Sequence, residues 1–475
     1  MELGWGLSKI LVVPLYISAI IVILLTIFKR IEFGILFLIP FLPHQNILDK
    51  LIDLPLGKDI NDLFFIAIFI RWIIDKRKAQ ESLLIKTPLN LPILLFLLWT
   101  FIEIWWGASY FGDPAPLSLA DPRIIYWKNL IRIPLFYLII VNNVKNPKHI
   151  KIIMFLMIMA ILMLDRNFYN IARWRDFSHF TESTEKIGGL HTLGGNELAV
   201  FLATYVIVLV SLFSHTSNLW IKLLLFGPIW LSYYCIAFLF SRSGYLATFA
   251  GWAVVGFLKD KKIFVFIVAL ILFWQTLLPQ AVKERIEMTK TEEGYDGTTQ
   301  QRLGMWDQGL EIIFSNPILG RGIDATRFTD VRSEGFGSRT WHSFHNSYIQ
   351  QAVETGLVGL GIYLWIFFLM IKMGWRMYRA GDSDFHKGLG LGLIACVMSC
   401  MAGNFAGSYW NYLETTGYMY VLAGLVMRST LTIEQGIDIP LSNNDDAASQ
   451  AKNSWTVAEP ENEYSKYFKE KYPTE

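Results

Sequence analysis

Between residues 9 and 427 the chain repeatedly runs for some twenty residues with at most one interior charge, and no other feature restricts its fold as strongly. A hydrocarbon layer about 30 Å thick is spanned by about 20 helical residues. Backbone in lipid must satisfy its own N–H and C=O groups, so such runs are expected to be helices. Clear runs cover 9–28, 89–106, 196–213, 219–240, 263–279, 346–371, 388–407 and 411–427, and shorter ones cover 31–43, 61–74, 129–143, 150–164 and 243–258. The expected fold is an all-α polytopic membrane protein with about 12 transmembrane helices. Composition agrees, since 17% charged residues against 53% hydrophobic ones are too few to wet a soluble globule of 475 residues. A net charge of +2 leaves no electrostatic footprint for nucleic acid.

Short loops rich in Lys and Arg mark the cytoplasmic side. Lys76-Arg77-Lys78, Lys145 with Lys148 and Lys151, Lys259 with Lys261 and Lys262, and Lys372 with Arg376, Arg379 and Lys387 fall in alternate loops. That alternation puts three longer segments outside, at about 107–128, 165–195 and 280–345. The first run has a single Lys9 before it and no small-residue cleavage site before Lys29-Arg30, so it is expected to stay as a span. Residues 1–428 are expected to form the bundle, including the external loop 280–345. Residues 429–475 carry nine acids against four lysines and few aliphatics, as expected of a disordered cytoplasmic tail. Cys235, Cys396 and Cys400 all lie in apolar stretches and read as small hydrophobes rather than a disulfide framework or a zinc site.

The external loop has its own pattern. Thr298 and Thr299 are possible caps for a helix from Gln300 to Phe314, with Leu303, Trp306, Leu310 and Ile313 on one face turned to the membrane surface or the bundle. From Thr291 to His345 there is no lysine but there are five arginines, Arg302, Arg321, Arg327, Arg332 and Arg339. A planar guanidinium grips phosphate or carboxylate oxygens in pairs, so the bias suits anion recognition. Pairing with Asp307, Asp324, Asp330 and Glu334 would explain the same arginines as loop structure. Arg242 sits between two apolar runs, where a charge costs about 2.5 to 3.5 kcal/mol on insertion scales, so an anion is expected to meet it unless the side chain snorkels to lipid headgroups. His345 closes the loop just before a long span, where a neutral imidazole can act as a general base; a plain surface role stays open on these grounds alone. His342 and His345 lack a third ligand at a usual metal spacing. Glu354, Glu103, Arg132 and Glu414 are intramembrane charges for which helix–helix pairing is the default, although Glu354 could also orient His345 through a relay.

His345-Asn346, nine residues, then Gly356-Leu357-Val358-Gly359 resembles the signature of the O-antigen ligase and polymerase family of bacterial inner-membrane proteins. Three further pieces agree in order. They are Gly194-Gly195-Asn196-Glu197-Leu198-Ala199, Ser241-Arg242-Ser243-Gly244, and Arg302 to Trp306 followed by Asn316-Pro317-Ile318-Leu319-Gly320-Arg321-Gly322. The resemblance covers about Gly194 to Gly359.

The resemblance implies a GT-C-like bundle with one large periplasmic loop, and a glycan donor linked to undecaprenyl diphosphate. It implies that His345 deprotonates an acceptor hydroxyl and that Arg242 and Arg302 hold the diphosphate. Arg321 is a third candidate for the diphosphate, although it stands where a plainer glycine turn is expected; Asn196, Asn346 and Glu354 would support the site. No metal and no cofactor is expected in this family. The acceptor could be lipid A core, another glycan or a protein hydroxyl, which the motifs do not distinguish. From a different class, a transporter or flippase of lipid-linked glycan could use the same arginines for binding only, though it would more naturally place its site at mid-membrane between repeats.

Overall fold

The computed structural model describes residues 12–181, 193–291, 294–328 and 343–434, apart from the side chains of 46, 290, 291, 294, 295 and 328. The rest of the tail, Arg332, Arg339 and His342 lie outside the described residues.

Every apolar run of the sequence contains helix. Seven helices are long and apolar enough to cross a membrane by length and composition: Asn90–Phe111, Pro122–Asn143, Pro147–Ala172, Gly195–His215, Leu219–Phe238, Ser347–Ala380 and Asp384–Ala406. The chain is therefore a multi-pass membrane protein, helical among the described residues apart from one pair of two-residue strands, Lys290–Thr291 and Gly294–Tyr295. The expected count of about 12 is not reached by these criteria, for physical reasons. Val12–Phe28 and Arg242–Leu258 have 17 residues each, and Lys261–Leu272 has 12. Ile60–Ala79 has the length, but Asp62, Arg71, Asp75 and the basic run Lys76 to Lys78 dilute it.

The centre of the bundle is Gly195–His215, whose apolar residues face neighbours on all sides, as an all-round hydrophobic helix must. It packs against Arg242–Leu258, Leu219–Phe238 and Asp384–Gly403. Close approach to Arg242–Leu258 depends on Gly244, where an added Cβ would come within 2.6 Å of the Ala199 Cβ. Two motif pieces thus owe their glycine and alanine to one helix crossing.

The long helix Ser347–Ala380 is broken at Gly356, whose φ of 65° and ψ of −179° no helical residue adopts. The break receives the loop that follows the helix Gly297–Ser315. Leu357 N donates to Pro317 O at 2.8 Å, and Arg321 N donates to Val353 O at 2.8 Å. An added Cβ at Gly356 would lie 1.9 Å from Ile318 O, so the first glycine of the Gly-Leu-Val-Gly piece is there for this docking. Gly322, at φ 92°, makes a similar backbone approach to Gly107.

The intramembrane charges divide. Asp62 pairs with Lys128 at 2.7 Å and with Arg132, as helix–helix pairing predicts. Both carboxylate oxygens of Glu103 are buried with no hydrogen-bond partner among the described residues, which that default does not explain. The helix Leu413–Glu434 runs past residue 428, where the tail was expected to begin.

Candidate functional site

The helix Gly297–Ser315 organises the site, with a cap and a packed face that differ from expectation. Its N-cap is Asp296, whose Oδ1 accepts Thr299 N at 2.8 Å, rather than Thr298 or Thr299. Its buried positions are Met305, Gly309, Ile312 and Ile313, which join Phe344, Ile349, Ala352 and Val353 in one cluster. Leu303 and Leu310 are instead exposed. Gly309 decides the orientation, because a Cβ there would come within 2.3 Å of Ile349.

Trp306 ties this helix to the histidine. Its indole N–H donates to Phe344 O at 3.0 Å, and its ring meets Phe405 edge-on at 5.3 Å. His345 follows at a φ of 48°, a left-handed conformation that histidine tolerates better than most residues, with its N–H on Ser343 Oγ at 3.1 Å. Asn346 then caps the long helix, its Oδ1 accepting Tyr348 N at 2.9 Å and Ile349 N at 3.2 Å, while its own N–H donates to Ser408 Oγ. The His-Asn pair therefore joins a residue in the left-handed conformation to the cap of the long helix.

Arg302 stands one helical turn before Trp306. Burial lowers its pKa from the usual range, and it lies within electrostatic reach of Tyr409, Arg242, Arg285 and Asp296. It makes no hydrogen bond or ion pair with any described residue. Burial, and after it the charge of Arg302, brings the pKa of His345 down to about 4. Arg242 opens its helix behind Ser241, which accepts Gly244 N at 3.3 Å. The expected anion for Arg242 is Asp296, at 2.9 Å, joined by Thr289 and Thr299 hydroxyls at 3.1 Å each. All three contacts use Nη1, so among the described residues Nη2 and Nε make none. Arg242, Arg302 and His345 are thus brought together around the start of one helix.

Other candidates have different surroundings. Arg321 packs on Tyr110, 5.7 Å from the ring centre, with a buried Nε that has no partner among the described residues. Glu354 accepts from Gln350 at 3.2 Å, Tyr126 at 3.3 Å and Thr326 at 3.4 Å, which ties it to neighbouring elements. Asn196 is half-buried at the start of Gly195–His215; next to it Glu197 accepts Gly194 N at 2.8 Å and closes that helix end. Arg327 pairs with Asp324 at 3.5 Å. Among the described residues no three His, Cys, Asp or Glu side chains converge as a metal site would require.

Two members of the cluster escape a reading from the sequence. Arg285 is buried, with Nε on Phe240 O at 3.2 Å and its guanidinium over Phe180. It precedes the lysine-free stretch and follows Lys283, so the arginine bias does not flag it. Tyr409 is buried with its N–H on Ser347 Oγ at 3.1 Å; burial raises its hydroxyl pKa while Arg302 opposes that rise. Its signal was the polar aromatic run Ser408 to Tyr412 between two apolar stretches.

The fold and this cluster define a multi-pass membrane protein with a buried basic site. The family model for O-antigen ligase matches residues 227–364, which include Arg242, Arg302, Arg321, His345 and the Gly356 break. A protein of Rickettsia typhi provisionally named a polysaccharide ligase is 25% identical over 342 residues, 69% of this chain and 77% of that one. Its counterpart in Rickettsia prowazekii is 22% identical over 66% of this chain and 74% of its own. The exopolysaccharide production protein ExoQ of Rhizobium meliloti is 39% identical over 74 residues, 14% of this chain and 17% of that one. Residues 227–364 are thus similar to the O-antigen ligase family, and the relatives that match the chain over most of its length are named as polysaccharide ligases.

Proposed function

We propose that the protein moves a glycan from an undecaprenyl-diphosphate carrier to an acceptor hydroxyl at the periplasmic face of the bacterial inner membrane. The observation that carries this reading is the Arg302 guanidinium, unpaired among the described residues and set beside Arg242, Arg285 and His345. An unpaired guanidinium in a buried site favours an anion with several oxygens, and a diphosphate at a lipid headgroup supplies one.

The acceptor oxygen attacks the anomeric carbon as the bond from that carbon to the diphosphate oxygen breaks, and the acceptor proton passes to the His345 imidazole. The leaving diphosphate gains charge in the transition state, where fixed guanidinium groups stabilise it more than in the ground state. With a pKa of about 4 His345 is neutral and ready to accept a proton near neutral pH. A bound diphosphate neutralises Arg302 and so raises the basicity of His345 when it is needed. One displacement inverts the anomeric centre and requires neither a metal ion nor the paired carboxylates of glycosidases. The acceptor is lipid A core, a growing glycan or a protein hydroxyl.

Purified protein given lipid-linked donor and acceptor in the presence of EDTA tests the reaction class. NMR of the product should show the anomeric configuration inverted, at an undiminished rate. Retained configuration, or loss of turnover on chelation, would overturn the proposal.

A further inference from the structure

A hollow whose lining includes residues 411–414 lies a few residues along the chain from Tyr409 of the basic cluster and has the opposite electrostatic character. It encloses about 680 Å³ between the residues around 45–62, the segment 119–132 and the residues 411–414. That volume falls within the range of about 300–1,000 Å³ of small-molecule sites. Its wall is mixed, with Leu119, Ala120, Ile125 and Leu413 among polar neighbours, and its charges are Asp49, Asp59, Asp62 and Glu414 against Lys58, Lys128 and Arg132, a net of one negative charge. A diphosphate is therefore disfavoured here. The rest of the wall is rich in carboxamides: Asn61 donates to Gln45 Oε1 at 2.8 Å, while Asn129 is exposed and makes no hydrogen bond with a described residue. Tyr412, 48% exposed, adds an aromatic face. Interleaved donors and acceptors suit neighbouring hydroxyls, each of which both donates and accepts, and apolar patches with an aromatic face suit the C–H side of a sugar ring.

The hollow is coupled to the cluster by a short piece of chain. Tyr409 lies at Arg302, and Tyr412, three residues later, lines the hollow. Three residues reach at most about 11 Å. A glycan whose reacting end sits at Arg302 and His345 would enter the hollow within its next units. We infer that this cavity is a saccharide subsite, holding hydroxyls of one of the two glycans that meet at the basic cluster.

The inference rests on the transferase reading, and donor and acceptor glycans share the chemistry it requires. The test uses the full chain in lipid nanodiscs as wild type, Asn129→Ala, Asp59→Asn and Arg302→Ala. Binding is measured by calorimetry with three probes: inorganic pyrophosphate, the glycan freed by mild acid from the diphosphate-linked lipid pool of the source membrane, and the deacylated glycolipid of the same cells. Asn129→Ala and Asp59→Asn should each weaken one glycan at least tenfold and leave pyrophosphate within twofold, and the glycan affected identifies donor or acceptor. Wild-type affinity for both glycans in both variants would overturn the subsite, as would equal loss of all three probes. Pyrophosphate binding that ignores Arg302→Ala would defeat the diphosphate clamp, while the glycan results would still decide the subsite.

Discussion

The indole N–H of Trp306 donates to the carbonyl of Phe344, at 3.0 Å, and so fixes the residue before His345 to the helix that carries Arg302. One hydrogen bond thus sets the spacing between the proposed base and the proposed clamp. Trp306→Phe keeps most of the ring and removes the donor. A carbonyl left without its partner costs about 1–3 kcal/mol. We expect kcat to fall about tenfold or more while KM for the lipid-linked donor changes little, because positioning of the base is lost and the cations remain. A raised KM with unchanged kcat would contradict this role.

Asp296 caps the loop helix with one carboxylate oxygen and holds Arg242 with the other. Asp296→Asn retains a good cap and removes the charge. The thermal midpoint should move little, since the cap survives and the Thr289 and Thr299 hydroxyls still meet Arg242. Arg242 then meets the diphosphate with no carboxylate competing, so pyrophosphate inhibition should strengthen several-fold. Weaker inhibition would show that Asp296 aims Arg242 rather than restrains it.

The pH dependence follows from His345. Burial and Arg302 depress its pKa to about 4 from the ordinary histidine value of 6.5, so the folded chain binds this proton less readily than the unfolded chain. Stability contributed by the neutral imidazole is present above the unfolded value and is lost as pH falls from there toward 4. Turnover by free enzyme should have its acid limb near that lower value. Arg302→Gln removes a repelling charge and should shift the limb upward, and an unshifted or lowered limb in the kcat/KM profile would contradict the coupling.

The break at Gly356 gives a stability prediction. At φ 65°, with Ile318 O 1.9 Å from where an alanine Cβ would stand, Gly356→Ala must unseat the Asn316 to Gly322 loop. A strained backbone position of this kind costs on the order of 1–3 kcal/mol before the clash is added. Thermal unfolding in detergent should begin several degrees earlier, and an unchanged midpoint would mean that the loop docking contributes little.

The helical class was legible because apolar runs of membrane length leave a backbone little choice. Arg242 was legible too, as a charge in need of an anion, whereas the motif marked Asn346 and Gly356 without disclosing that one caps a helix and the other breaks it. The face of the loop helix was not. Leucines at 303 and 310 make an apolar stripe, but the close approach permitted by Gly309 put Met305 and Ile312 inside instead. Hydrophobicity alone is a poor guide where the outside is also apolar. Arg285, Tyr409 and the polar cavity are assembled from distant segments, and no spacing in the chain announces them.

Turnover by His345→Ala, alongside Arg302→Ala, with purified protein, lipid-linked donor and acceptor tests the central claim most directly. We expect each variant to lose about 100-fold or more in kcat, the scale on which deletion of one charge-stabilising group acts. Wild-type turnover by His345→Ala would contradict the account and leave the basic cluster as a binding site alone.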